Sequence, residues 1–213
     1  IEQEHPMARF AQIAFTPAVR AAQSRLGSRT GYSALDSFPD ARSQLGGEEA
    51  AFIAARDGFY QASVSETGWP YVQFRGGPPG FLKVLDAHTI GYADFRGNRQ
   101  YISTGNLEAD GRVSLILMDY PNQRRLKLWG RARTVEGAEA GPLLQHLEMR
   151  DYRAHVERAV VIAVEAFDWN CPQHITRRFT GPEIETVLGP MRQQLEALQA
   201  ENRALRAQLA ARP

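Results

Sequence analysis

Two arginines stand where a small anion would need them. Arg75 closes the run Y-V-Q-F-R and is followed at once by Gly76 in the segment G-G-P-P-G. Arg99 lies in D-F-R-G-N-R-Q-Y-I-S-T-G-N-L, residues 94–107, where Phe95 ends an apolar run and Gly97 breaks it. The spacing predicts a strand, a glycine turn and a helix whose first residues are Asn98, Arg99 and Gln100. The first N–H groups of a helix have no intrahelical partner, so such a start attracts anions. A guanidinium adds a charge that persists at any working pH. Together these residues suit a small phosphate. Taken alone, they equally describe two surface arginines beside turns.

Composition bounds the setting. The 213 residues suffice for one ordinary domain with appendages. Hydrophobic residues make up 43% and charged residues 23%, a globular balance with no apolar run near the roughly 20 residues of a membrane span. A formal charge of +1 gives no general attraction to nucleic acid or an anionic membrane, so neither is expected as a partner. Cys171 is the single cysteine, which rules out an intrachain disulfide. With no charged-then-apolar leader, the expectation is a cytoplasmic protein.

The elements that must position the arginines follow in order. Residues 1–45 read as an N-terminal arm; Thr16-Pro17 begins a short helix there and Gly27 stops it. Residues 46–57 read as an amphipathic helix with glutamates in its first turn, ended by Gly58. F-Y-Q-A-S-V-S and Y-V-Q-F-R then alternate as a hairpin. R-V-S-L-I-L-M-D-Y, from Arg112, is apolar at nearly every position and predicts a central strand buried on both faces. In the next strand Leu126, Leu128 and Gly130 face one way, and Lys127, Trp129 and Arg131 the other. A helix over about 138–152 and a long strand ending near Trp169 complete the set. Six or more strands joined by short turns, without regular βαβ alternation, predict a mainly β fold: an antiparallel barrel with flanking helices.

The final thirty residues change character. Leu188, Leu195, Asn202 and Leu209 occupy every seventh position, with Met191, Leu198 and Leu205 between them. This is a coiled-coil seam of about three heptads, with an asparagine at position a that favours a parallel, in-register dimer. The competing reading is a helix packed on its own domain.

Several chemistries find no support. The chain has no Walker loop, no G-x-G-x-x-G after a strand and no H-E-x-x-H. Its five histidines show no metal-ligand spacing, so no metal site is expected. The segment N-C-P-Q-H-I-T-R-R-F, residues 170–179, follows the last strand and offers amides, a thiol, an imidazole and guanidiniums suited to a heterocycle. It also reads as a capped exit loop, and Trp129 and Trp169 read as barrel packing.

Five segments in order carry a resemblance: Q-F-R-G-G-P-P-G-F-L-K-V-L-D, D-F-R-G-N-R-Q-Y-I-S-T-G-N-L, R-V-S-L-I-L-M-D-Y-P, R-L-K-L-W-G-R-A-R and D-W-N-C-P-Q-H-I-T-R-R-F. Over about residues 46–180 the chain resembles the pyridoxamine 5′-phosphate oxidase-related FMN-binding family, in particular an uncharacterised subgroup. The resemblance implies an antiparallel split β-barrel over 46–181, followed by the coiled-coil helix of 182–213. It also implies a homodimer, with FMN held between the subunits. It places Gln73, Arg75, Gly76, Asn98, Arg99 and Gln100 around the cofactor, with the two arginines on its phosphate. Lys127 and Trp129 would approach from the partner subunit, and Trp169, Asn170, Cys171 and Gln173 would form the C-terminal flavin region. The oxidase has an Arg-Lys pair where this chain reads Arg99-Gln100, and its arginine-x-histidine element for the vitamin phosphate has no clean equivalent here. The resemblance therefore supports FMN as cofactor more than it supports pyridoxamine phosphate as substrate. His174 is the candidate proton donor, since histidine exchanges protons near neutrality. The function implied is an FMN-dependent oxidoreductase acting on an unknown small molecule. The alternatives are a non-catalytic flavin- or haem-binding carrier or sensor, and an assembly module built on the zipper.

Overall fold

The computed structural model describes residues 10–36, 43–149, 151–169 and 172–211. They divide into two compact units: the chain up to Asp119 with 124–173, and 120–123 with 174 onward.

The first unit opens with three short helices: α1 (Phe10–Ala14), α2 (Pro17–Arg25) and α3 (Arg29–Tyr32). Thr16 caps α2, its Oγ1 accepting from the Val19 N–H at 3.3 Å, and Pro17 supplies the pre-set φ of the first turn. Gly27, at φ +80°, ends it, as the sequence predicts. The helix α4 (Gly47–Ala54) buries Phe52 and Ile53. Its end differs from expectation. Ala55 is the C-cap, and Gly58 instead begins a strand.

Seven strands form one antiparallel sheet: β1 (Gly58–Val64), β2 (Pro70–Gly76), β3 (Lys83–Asp86), β4 (Thr89–Phe95), β5 (Arg112–Asp119), β6 (Arg124–Val135) and β7 (Val156–Trp169). Their order is β2-β1-β5-β6-β7-β4-β3. Helix α5 (Ile102–Ala109) follows β4, and α6 (Ala140–Leu147) precedes β7. This mainly antiparallel sheet with helices is consistent with a split barrel. One continuous core fills its inner face. Phe59 of β1 stacks on Phe81 at 5.7 Å between centroids and meets Tyr92 of β4 edge-on at 5.4 Å. These contacts join strands that are far apart in the sheet order.

Period-two alternation decides which residues face inward. In β6, Leu126, Leu128 and Gly130 are buried while Lys127 and Trp129 are half-buried, matching the sequence reading. In β5, Val113, Leu115, Leu117 and Asp119 are buried, whereas Ser114, Ile116 and Met118 are only half-buried. The expectation of a strand buried on both faces is thus corrected. Its second face lies on the outside of the sheet, where apolar residues continue onto Tyr60, Val72 and Phe74.

The second unit holds the long helix α7 (Gly181–Ala210). Thr180 and Glu183 cap it reciprocally: Thr180 Oγ1 accepts from the Glu183 N–H at 3.4 Å, and Glu183 Oε2 accepts from the Thr180 N–H at 2.7 Å. Ahead of the helix, Gln123 Nε2 donates to the Ile175 carbonyl at 2.7 Å, and the Arg178 guanidinium lies 5.1 Å from the Tyr120 ring centroid. No residue of α7 is buried, and Met191, Leu195, Leu198 and Leu209 are each more than half exposed. No described helix is long and apolar enough to cross a membrane.

Gly130 marks the tightest backbone approach in the sheet. A Cβ there would lie 2.4 Å from the Ala163 carbonyl oxygen, at the bulge where the β6–β7 register shifts. Backbone cannot yield as a flexible side chain does. Gly130→Ala is expected to lower stability by about 1–3 kcal/mol, read as a shift of the urea midpoint at unchanged slope.

Candidate functional site

Strand alternation turns Tyr71, Gln73 and Arg75 of β2 to one side, while Val72 and Phe74 of the same strand are exposed. Together with the end of β4, the loop after it and the start of α5, they line a cleft of about 270 Å³. The predicted residues Gln73, Arg75, Gly76, Asn98, Arg99 and Gln100 all border it.

The floor of the cleft is an ion pair that crosses the sheet. Arg75 Nη1 donates to Asp94 Oδ1 at 2.6 Å, although β2 is an edge strand and β4 lies near the opposite edge. Arg158 approaches the same carboxylate, its Nε 3.6 Å from Asp94 Oδ2. All three side chains are at most 15% exposed. Burial raises the Asp94 pKa above the ordinary carboxylate range, in spite of the lowering charges of Arg75 and Arg158. Among the described residues the buried Nε–H groups of Arg75 and Arg158 have no hydrogen-bond partner, the Arg158 contact to Asp94 being an ion pair beyond hydrogen-bond distance. A buried donor without an acceptor is costly and marks a place for one. Beneath them Tyr92 donates to Gln61 Oε1 at 3.0 Å, its own pKa pushed up by burial. Beside them Ser103 Oγ donates to Gln73 Oε1 at 2.6 Å and fixes that amide.

The rim is a second charge cluster, centred on Glu157. Its Oε1 accepts from Arg96 Nε at 2.9 Å and from Tyr101 OH at 3.1 Å, and its Oε2 from Arg158 Nη2 at 3.3 Å. These bonds, the Arg96 bond foremost, hold its pKa low. Arg99 is exposed, and its Nε donates to the Tyr101 hydroxyl at 3.4 Å.

The expectation that Asn98, Arg99 and Gln100 open a helix is corrected. Arg99 and Tyr101 both have left-handed backbones, at φ 63° and 54°, and α5 begins only at Ile102. Asn98 explains the turn. Its Oδ1 accepts from the Gln100 N–H at 3.2 Å, the local bond by which asparagine competes with helix. Two non-glycine residues in this region cost about 1–2 kcal/mol each, so the surrounding rim contacts must hold the loop in place. The anion-attracting elements are therefore the arginines and the loop, rather than a helical first turn.

The other predicted residues lie elsewhere. Lys127 Nζ is 3.6 Å from Asp168 Oδ2 and 5.6 Å from the Trp129 centroid, on the outer side of β6. Trp129 also meets Phe10 of the N-terminal arm edge-on at 5.6 Å. Trp169 Nε1 donates to Glu49 Oε1 at 2.8 Å, and its ring packs on Phe52 at 4.7 Å and under Arg124 at 4.5 Å. Gln173 is exposed near the end of the first unit. His174, exposed with φ 64°, opens the final segment of the second. Asn170 and Cys171 lie outside the described residues. Among the described residues no group of three or more His, Cys, Asp or Glu is placed to hold a metal.

Sequence reasoning passed over Asp94, Glu157 and Arg158. A signal for Asp94 existed: two residues after Tyr92, on the same face of β4, a carboxylate points inward and demands a cation. Glu157 and Arg158 offered little local signal, since Arg96, Tyr101 and Asp94, which they meet at the cleft, lie more than fifty positions away.

Comparison with known proteins places this geometry in a family. The family model described as pyridoxamine 5′-phosphate oxidase matches residues 45–170. No curated protein matches the chain. Solved structures resemble it at low identity. HupZ of Group A Streptococcus is 19% identical, with 63% of this chain and 99% of that one covered and a TM-score of 0.46. An FMN-binding protein of Syntrophomonas wolfei subsp. wolfei is 12% identical, covering 72% and 95%, with a TM-score of 0.45. An F420 reductase is 16% identical, covering 55% and 94%, with a TM-score of 0.40.

Proposed function

The chain belongs to the pyridoxamine 5′-phosphate oxidase family, and on that premise we propose that it is an FMN-dependent oxidoreductase acting as a homodimer on a small molecule. The observation that carries the reading is the buried, partnerless Nε–H of Arg75, set in a cleft whose rim presents Arg96 and Arg99. A phosphate monoester supplies the acceptor oxygen that the Arg75 Nε–H lacks, through a charge-assisted bond, and its charge suits the rim arginines. In this reading Arg75 and Arg99 neutralise the cofactor phosphate, and Asn98, Gln100 and the Gly76 backbone complete its surround. Gln73, oriented by Ser103, offers an amide to the remainder of the cofactor. FMN would supply the hydride or electron transfer, and the protein the binding and orientation.

Lys127 and Trp129 are proposed to serve the flavin of the partner subunit. Trp169, Asn170, Cys171 and Gln173 keep their proposed place in the flavin region; for Trp169 that means the ring, because its N–H is committed to Glu49. His174 is proposed as proton donor on the chemistry of imidazole alone.

Two features support the dimer. Tyr60, Val72 and Phe74 are 41%, 59% and 57% exposed, and Tyr60 is paired in register with Phe74 and with Ile116, making one contiguous apolar sheet face. Such a face calls for a cover. On α7 the seam runs from Leu188 to Leu209 and favours a parallel pair of helices. Parallel pairing sets Asn202 against Asn202 and Glu201 of one helix opposite Arg206 of the other. An antiparallel pair would set Asn202 against an apolar d residue, which leaves a buried amide unpaired.

Two outcomes are expected. Arg75→Gln should weaken FMN binding by on the order of ten-fold or more, the loss of a charged hydrogen bond, in a titration that follows quenching of flavin fluorescence; unchanged affinity would remove Arg75 from the site. Asn202→Cys, introduced with Cys171→Ser, should cross-link the two subunits under mild oxidation, because in-register a positions bring the sulfurs within bonding reach. Failure to cross-link would contradict a parallel seam.

A further inference from the structure

Asp94 is out of place in an anion site. A carboxylate at the floor of a cleft for phosphate repels the ligand, yet here it is buried and in contact with the arginine that would bind that ligand. Its companions come from every element around it. Arg75 reaches it from β2 at 2.6 Å, and Arg158 from β7 at 3.6 Å. Glu157 on β7 and Glu136 after β6 are both paired to Arg158, at 3.3 Å and 3.1 Å. Tyr92 lies below on β4, and Arg96, Arg99 and Tyr101 stand at the rim. Among the described residues no histidine lines the cleft. Two half-buried guanidiniums therefore share one buried carboxylate, and the buried Nε–H of Arg75 has no hydrogen-bond partner among the described residues.

We propose that Asp94 is the resident counter-ion of the cleft, so that a phosphate-type oxyanion competes with its carboxylate for Arg75 and binds together with a proton taken up by Asp94. The proposal deepens the reading of this cleft as the phosphate end of a cofactor site and names its regulation. An arriving anion adds negative charge within a few ångströms of Asp94, and like charges at that range disfavour ionisation. Burial already pushes the carboxyl toward its neutral form. The sign follows from linkage. A site that gains a proton on binding binds more tightly as pH falls, and the gain is lost as pH rises above the Asp94 pKa. Glu157 does not share this role, because its bonds to Arg96 and Tyr101 hold it ionised to lower pH.

Sulfate is the probe, since its charge is constant across the range and, unlike a phosphate monoester, it does not itself titrate near neutrality. Wild-type protein should bind sulfate more tightly at about pH 5 than at about pH 7.5, by on the order of ten-fold. Asp94→Asn should bind at the higher pH as tightly as the wild type does at the lower, with a flat profile. Should that variant not fold, calorimetry of wild-type protein in two buffers of different ionisation enthalpy counts the protons directly, and net uptake on binding sulfate is expected. Equal pH profiles for the two proteins, weaker binding by Asp94→Asn, zero proton uptake, or no sulfate binding to either protein would overturn the proposal. FMN binding to the wild type is measured separately. Its absence would end the flavin reading, while the sulfate series would still decide the role of Asp94.

Discussion

The ion pair between Arg75 and Asp94 is the constraint on which the rest of the site depends. It joins an edge strand to one near the other end of the sheet, at 2.6 Å, and so ties together the two margins of the split barrel at the place where the cleft opens. Burial raises the Asp94 pKa even though two arginines oppose the shift, so desolvation outweighs the attraction, as it commonly does for interior ion pairs. What the pair provides is position. It fixes a guanidinium facing the cleft with one N–H bonded and another still unused. The apolar contacts of Phe59 with Phe81 and Tyr92 hold the same two margins together from inside the core.

Much of this was legible along the chain. The Thr16-Pro17 start, the Gly27 stop and the inward face of β6 are local matters, set by capping, backbone freedom and period-two alternation. The arginines could be picked out because each ends an apolar run beside glycine. Three things were harder to read. The start of α5 was misplaced because the Asn98 side chain bonds the Gln100 N–H and diverts the backbone from helix, a choice between two local bonds of similar strength. The second face of β5 was misjudged because an apolar residue on the outer face of a sheet looks the same along the chain as one bound for the core. Asp94 was passed over because its inward place on β4 demands a cation without naming one, and its partners, Arg75 and Arg158, lie nineteen and sixty-four positions away.

The site divides the work between a rigid floor and a held loop. Below, Asp94 and Tyr92 are buried and Arg75 and Arg158 half-buried, on strands whose register is fixed on both sides for β4 and β7. Above, the residues from Arg96 to Tyr101 have two left-handed backbones and gain their order from Glu157. The long C-terminal helix follows a different rule. Its apolar stripe is exposed along its length, with Asn202 interrupting it, and no residue of the helix is buried.

The central claim is that the cleft beside Arg75 belongs to a flavin phosphate. The most direct measurement is the visible absorption spectrum of the purified protein, followed by mass analysis of what heat releases. The account predicts the two-banded spectrum of an oxidised flavin and release of FMN. A Soret band, or a colourless protein that also fails to take up added FMN, would contradict it.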